Sequence, residues 1–191
     1  MIDFMDMPAG LHALDTLAKE AVVQILAAGT VQPGVFLIFF AGEVEPVERS
    51  FTRAVETSES DAVIDKVFLP YAEERIVPAI LAQTLRWPAP GDTAAMIQTA
   101  TPPTLLRAVD AALKGALVEL VELRIADGLG GKAIATLWGE THDVQAALAL
   151  ANQAMARGRS EGSSATLIPN ADGETMRAIR GGTRFFREWR G

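Results

Sequence analysis

The sequence predicts an α+β fold of two tandem ferredoxin-like (split βαβ) domains, each an antiparallel sheet with helices on one face. The first observation is a duplication, because residues 8–26 recur as residues 103–121 with proline, leucine, alanine, aspartate, lysine and valine at matched positions. The second is that both copies show the order β-α-β-β-α-β-α. The third is the length of 191 residues, which suits two domains of about 90 residues. We expect the domains to span residues 1–88 and 89–191.

The first helix of each copy is predicted from its start signals. Asp6 can cap free amides and Pro8 suits a first helical turn, while Thr101 precedes two prolines at the matched place. Lys19 and Lys114 close the two helices. Apolar residues at helical spacing predict buried stripes at Leu11, Leu14 and Leu17, and at Leu106, Val109 and Leu113.

The remaining elements follow from alternation and β-branched runs. Second helices are expected to begin at Pro46 and Thr141, and short last helices to follow Pro70 and Pro169. Strands are predicted at residues 2–7, 22–31, 35–41 and 63–69, and at residues 96–99, 117–125, 133–138 and 165–168.

Composition excludes several classes of protein. A net charge of −7 and a pI near 4.9 disfavour nucleic-acid binding, which needs concentrated lysine and arginine. The sequence shows no charged n-region followed by a long apolar stretch, so no secretory signal is expected. The most apolar run, residues 35–41, is too short to span a membrane. We therefore expect a cytoplasmic protein. The absence of cysteine excludes disulfides, thiol nucleophiles and cysteine-ligated metal clusters.

No catalytic, cofactor or metal site is predicted. Residues 128–133 formally fit a GxGxxA dinucleotide fingerprint, but a strand follows where that motif requires a helix. His12 and His142 lack spaced partners for zinc, and no nucleophile with a neighbouring base is recognisable. We expect no enzyme activity, no cofactor and no metal.

Residues 109–151, VDAALKGALVELVELRIADGLGGKAIATLWGETHDVQAALALA, resemble the bacterial microcompartment shell domain. In that domain a helix ending in an edge lysine precedes a strand, a glycine-bearing loop and a return strand closing on Gly-Asp/Glu. Residues 14–51 carry the same elements, and the likeness covers most of residues 2–175. It implies a homotrimer whose six domains imitate a hexamer, tile edge to edge with other shell proteins in a microcompartment shell, and leave a central pore for metabolites.

The resemblance also implies roles for particular residues. Lys19 and Lys114 match edge lysines that meet a neighbouring tile. The segments after two prolines match the edge loops beside them, where Tyr71 and Asn170 replace the arginine often found in single-domain members; the positions are Pro70, Tyr71, Pro169 and Asn170. The pore-lining positions are Gln32, Pro33 and Gly34 in the first copy, and Asp127, Gly128, Leu129, Gly130, Gly131 and Lys132 in the second.

The pore-matched loops differ most between the copies. Pro33 stiffens the first loop, whereas the glycines of the second leave it conformational freedom. The hypothesis is that residues 127–132 open or narrow the pore.

Other interpretations stay open. Asp15 and Asp110 are either surface helix residues or partners of backbone groups at a subunit boundary. The arginine- and aromatic-rich end, residues 177–190, either covers the core or docks encapsulated enzymes or a neighbouring tile. The alternative function is a regulatory protein that binds a small ligand between paired ferredoxin-like domains.

Overall fold

The computed structural model describes residues 1–82, 92–126, 128–180 and 183. These residues contain two four-stranded antiparallel sheets with the same strand order, β2-β3-β1-β4 in the first copy and β6-β7-β5-β8 in the second. The predicted fold of two tandem α+β domains is confirmed. The expected boundary at residues 88 and 89 lies outside the described residues and stays a prediction.

The first copy is built around the strand β3. Its elements are β1 (Ile2–Phe4), α1 (Met7–Glu20), β2 (Gln24–Val31), β3 (Val35–Ala41), α2 (Val44–Glu56), β4 (Val63–Lys66) and α3 (Ile76–Ala82). Phe36, Ile38 and Phe40 point to one side of β3 and form a core with α1 and α2. Leu37 and Phe39 point to the opposite side, as the period of two in a strand requires.

The second copy repeats this order with longer strands. Its elements are β5 (Thr93–Thr99), α4 (Pro102–Gly115), β6 (Glu119–Ile125), β7 (Ala133–Gly139), α5 (Thr141–Met155), β8 (Ser164–Pro169) and α6 (Gly173–Arg180). The helices α4 and α5 pack on one face of the sheet, and α6 lies against the other through Ile179, which joins Val121 and Trp138 in an apolar cluster.

Most predicted helix features are confirmed, with two corrections. Asp6 caps α1 by accepting a hydrogen bond from the Ala9 N–H at 2.9 Å. Thr101 stands at the N-cap of α4, but its hydroxyl makes no cap bond and donates to Asp65 instead. Leu11, predicted to be buried, is 49% exposed, because α1 turns Gly10, Ala13 and Leu17 inward.

The two copies pack against each other along α4. Leu37, Phe39 and Val67, on the outer face of the first sheet, belong to the same apolar core as Leu106 and Val109 of α4. As a result α4 is buried on two sides and has ten buried residues, whereas α1 has three. The first sheet thus covers the helix of the second copy, and none of the described residues covers α1 in the same way.

Candidate functional site

A polar cluster fastens the two copies together beside this apolar contact. Asp65 at the end of β4 accepts hydrogen bonds from the Thr101 hydroxyl and, at 2.7 Å, from the Thr104 hydroxyl. Thr104 in turn accepts the Arg159 backbone N–H at 2.9 Å, and Arg107 donates to the Lys66 carbonyl at 2.8 Å. Sequence reasoning missed this cluster, since its members lie 36 or more residues apart.

Asp3 lies next to this cluster and is only 3% exposed. It pairs with Asp65 across β1 and β4, and its Oδ1 has no hydrogen-bond partner among the described residues. Burial, reinforced by the negative charge of Asp65 and opposed by Arg159, raises the pKa of Asp3 to about 7. The boundary between the copies therefore contains a carboxyl group that titrates near neutral pH.

The two expected edge lysines occupy matched places near the ends of α1 and α4. Lys19 pairs with Asp15 at 2.6 Å and Lys114 with Asp110 at 2.8 Å, each one helical turn away. The first pair is mostly exposed, while the Asp110 side chain is only 12% exposed. Ion pairs one turn apart on a helix surface contribute little to the free energy of unfolding. What matters here is how the two pairs orient the lysine side chains.

Asp110 differs from Asp15 because it also binds the first copy. Its Oδ1 accepts the Glu73 backbone N–H at 2.8 Å, three residues after Pro70. Arg75 strengthens this contact by donating to Glu73 at 2.8 Å and to the Val118 carbonyl at 2.8 Å. The structure thus brings Lys114 of the second copy beside the predicted edge segment of the first, and Asp110 is a partner of a backbone group at a domain boundary.

The two segments expected at the tile edge share one backbone shape. Tyr71 and Asn170, each directly after a proline, have positive φ angles of 55° and 45°. Left-handed backbone is uncommon outside glycine, so the same exception at matched positions marks the two turns as equivalent. Tyr71 is 82% exposed, and Pro70, Pro169 and Asn170 are also exposed.

Two exposed apolar residues near the edge lysines were not predicted. Val22 is 95% exposed and Leu117 is 84% exposed, and each stands three residues after its lysine. The repeat aligns Val22 with Leu117, and this match of two apolar residues could have indicated a shared surface role. The sequence instead predicts strands that begin at residues 22 and 117. The strands begin at Gln24 and Glu119.

The two loops that match the pore lie against each other. A Cβ placed on Gly131 would stand 3.0 Å from Pro33 Cδ and 3.2 Å from the Gln32 carbonyl oxygen, so only glycine fits there without displacement. Gly34 closes the first turn, where its N–H donates to the Val31 carbonyl at 2.7 Å. Asp127, also expected in this site, lies outside the described residues.

Three backbone hydrogen bonds hold the second loop. The Ala126 N–H donates to Lys132, the Leu129 N–H to Ala126 and the Lys132 N–H to Leu129, at 2.9 to 3.2 Å. Gly128, Gly130 and Gly131 all have positive φ angles. The glycines therefore supply left-handed turns in this conformation, which these three bonds stabilise.

The described residues contain no group of three or more histidine, aspartate or glutamate side chains arranged to hold a metal ion. Within the same ranges, no helix is long and apolar enough to cross a membrane. The arginines and aromatics after residue 183 lie outside the described residues.

The duplicated sheets, the matched turns after Pro70 and Pro169 and the touching loops define a tandem-domain protein. The family model described as "BMC domain" matches residues 1–72 and again residues 93–171. The chain belongs to this family, and it contains the domain twice.

Individual relatives agree with this assignment. The chain is 27% identical over 153 residues to the bacterial microcompartment shell protein PduT of Citrobacter freundii, covering 80% of this chain and 82% of PduT. It superposes on a microcompartments protein from Desulfitobacterium hafniense with a TM-score of 0.74 and 28% identity, covering 92% and 96% of the two chains. The double-ringed trimeric shell protein of the RMM microcompartment shares the fold alone, with a TM-score of 0.58, 12% identity and coverage of 81% and 79%. This chain is a shell protein of a bacterial microcompartment.

Proposed function

We propose that three copies of this chain close into a pseudohexameric tile whose central pore passes small metabolites, and that the chain acts without catalysis. Each chain contributes two similar domains, which we divide at residues 88 and 89, so a trimer has six similar units. The observation that carries this proposal is the unequal burial of the two matched helices, ten buried residues in α4 against three in α1.

The repeat identifies the missing partner of α1. In one chain, α4 is covered by the strip of the first sheet that includes Asp65 and Val67. The register of the sheets matches these residues with Ser164 and Thr166, and both are exposed. We therefore expect the exposed side of α1 in one chain to meet the part of β8 at Ser164 and Thr166 in the next chain, as α4 meets Asp65 and Val67 within one chain.

An interface between two different surfaces of identical chains closes into a ring or continues as a filament. Met7 and Leu11 on the open side of α1 are 46% and 49% exposed, and apolar side chains of that size favour burial by a partner. Asp15 supports the same geometry, because its counterpart Asp110 accepts a backbone N–H from the other domain. The number of three chains comes from the resemblance to trimeric tandem-domain shell proteins.

In such a ring the touching loops would stand around one opening. We assign the pore lining to Gln32, Pro33, Gly34 and residues 127–132, with the exposed Lys132 as a charge at its rim. Steric and electrostatic selection at this opening would decide which metabolites cross. In this proposal residues 127–132 open or narrow the pore, and a change in the shape of the loop would compete with its three turn bonds.

The tile edge would be formed by Lys19, Lys114 and the turns at Pro70, Tyr71, Pro169 and Asn170. Val22 and Leu117 belong to the same proposal, since exposed apolar residues at matched positions give every domain of the ring the same contact. Neighbouring tiles and other shell proteins would cover them. The arginine- and aromatic-rich end, residues 177–190, is the candidate contact for encapsulated enzymes.

Two substitutions separate ring closure from tiling. Leu11→Glu places a charge in the proposed ring interface, and sedimentation equilibrium should report a single 20.4 kDa chain where the unmodified protein reports three.

Val22→Glu should leave the three-chain mass unchanged and abolish the extended sheets visible by negative-stain microscopy. A monomeric unmodified protein, or a Leu11→Glu variant that remains trimeric, would refute the proposed ring.

A further inference from the structure

A cavity of about 370 Å³ lies in the first copy, between β3, α2 and the segment leading into α3. Its walls include Phe39, Phe51, Val67, Val77 and Leu106. Leu106 comes from α4, so the second copy closes one side. Pockets that bind small molecules have volumes of roughly 300 to 1,000 Å³ and predominantly apolar walls, and this cavity meets both criteria.

One residue of the cavity wall is much smaller than its counterpart in the second copy. Ile2 pairs with Ile38, and the matched Ile97 pairs with Ala135, so the residues three positions further along, Ala41 and Trp138, occupy equivalent places. Ala41 lines the cavity. In the second copy the indole of Trp138 is 8% exposed and packs in an apolar cluster.

The neighbours of these two residues match as well. Leu69 lines the cavity, and its counterpart Ile168, which also stands directly before the matched proline, packs against the cluster of Trp138. At this matched place of the sheet the second copy therefore has an indole ring and the first copy a methyl group. This comparison indicates the size and polarity of a suitable occupant.

The charges around the cavity favour a neutral molecule. Glu43 is the one charged side chain among the described residues of its lining, and it is exposed. The Met1 amino group donates to the Val67 carbonyl at 2.9 Å, and burial lowers its pKa to about 5, so it has no charge at neutral pH. No described cation of the lining would bind an anion.

We propose that this cavity is a binding site for a small, uncharged, apolar molecule of about the size of an indole ring. The site lies apart from the loops assigned to the pore and goes beyond the proposed shell function. Binding would bury the ligand against both copies of the domain, since Leu106 of α4 and Phe51 of α2 lie on its walls.

The test uses 5-fluoroindole as the probe and the full chain, with binding followed by ¹⁹F NMR. The unmodified protein should show saturable binding with one site per chain. Ala41→Trp fills the cavity with the group that the second copy already contains, and it should abolish saturable binding while the protein melts at an equal or higher temperature. Ala149→Trp, at an exposed position of α5, is the matched control and should bind like the unmodified protein.

A second filling variant, Val77→Phe, decides the outcome if Ala41→Trp does not fold. It narrows the cavity from α3, and it should also remove binding. No saturable binding by the unmodified protein would overturn the proposal, as would unchanged affinity in a folded filling variant. Binding seen only after deletion of residues 184–191 would also overturn it, because the end of the chain would then be the occupant.

Discussion

Asp3 and Asp65 distinguish the two copies most clearly at the level of single residues. The matched positions in the second copy are Gln98 and Ser164, which are uncharged. Only the boundary inside the chain therefore contains a pair of carboxyl groups at these places, with Thr104 and Arg159 beside them. The proposed boundary between chains would contain none there, so the two kinds of interface should respond differently to pH.

The first prediction concerns Asp3→Asn. The pKa of Asp3 rises from 3.8 to about 7 on folding, so its contribution to stability is fully present below pH 4 and is lost as pH rises through 7. The asparagine side chain at position 3 has no proton to lose in this pH range. Relative to the unmodified protein, the variant should gain on the order of 4 kcal/mol of unfolding free energy between pH 4 and pH 8.

Denaturant unfolding at both pH values measures this difference. Asp61→Asn changes an exposed aspartate and serves as the control, since its difference from the unmodified protein should be the same at both pH values. A pH-independent difference for Asp3→Asn would show that the Asp3 carboxyl does not titrate between these limits.

At the level of elements, the loop at residues 32–34 and the loop at residues 128–132 touch through Gly131. Gly131 has a φ of +81° and lies against the Gln32–Pro33 turn, so an added methyl group is strained in its backbone and in its contacts. We predict that Gly131→Ala lowers the free energy of unfolding by about 1–2 kcal/mol. Equilibrium denaturation measures the loss.

Gly29→Ala is the matched control for this substitution. Gly29 lies in β2, where an added methyl group would have no described atom within 4 Å, and its φ is not left-handed. Alanine there should be neutral or slightly stabilising, because it restricts the unfolded chain. Equal effects of the two substitutions would contradict the close approach of the loops.

Local patterns predicted the elements well. Residues 35–41 form a strand with the expected bounds because their apolar run is continuous and buried on both faces. The buried stripe of α4 at Leu106, Val109 and Leu113 is also as expected. The prediction was wrong at Leu11, since periodicity alone shows that a residue is apolar and does not show whether a partner covers it in one chain.

Contacts between the copies could not be predicted in the same way. The bonds of Asp65 to Thr104 and of Asp110 to Glu73 join residues 37 or more apart. Their geometry depends on how one whole domain packs on the other, and no local pattern encodes that. The repeat did indicate which positions to compare, and this comparison separates the covered helix α4 from the open helix α1.

At the scale of the whole molecule, one chain contains one interface between its two domains, and the proposed ring adds a second kind of interface between chains. The interface inside the chain combines the apolar contact of Phe39 and Leu106 with the polar bonds of Asp65. The surfaces proposed for contact between chains are the exposed side of α1 and the exposed residues Ser164 and Thr166 of β8. Head-to-tail contact between two such surfaces can repeat until a ring closes.

Electron cryomicroscopy of the purified, unmodified protein tests this central claim most directly. We predict a threefold ring of six similar lobes, with residues 32–34 and 128–132 of every chain around an opening on the axis. A particle with a single pair of lobes would contradict the proposed assembly, and a ring with these loops at its outer rim would contradict the proposed pore.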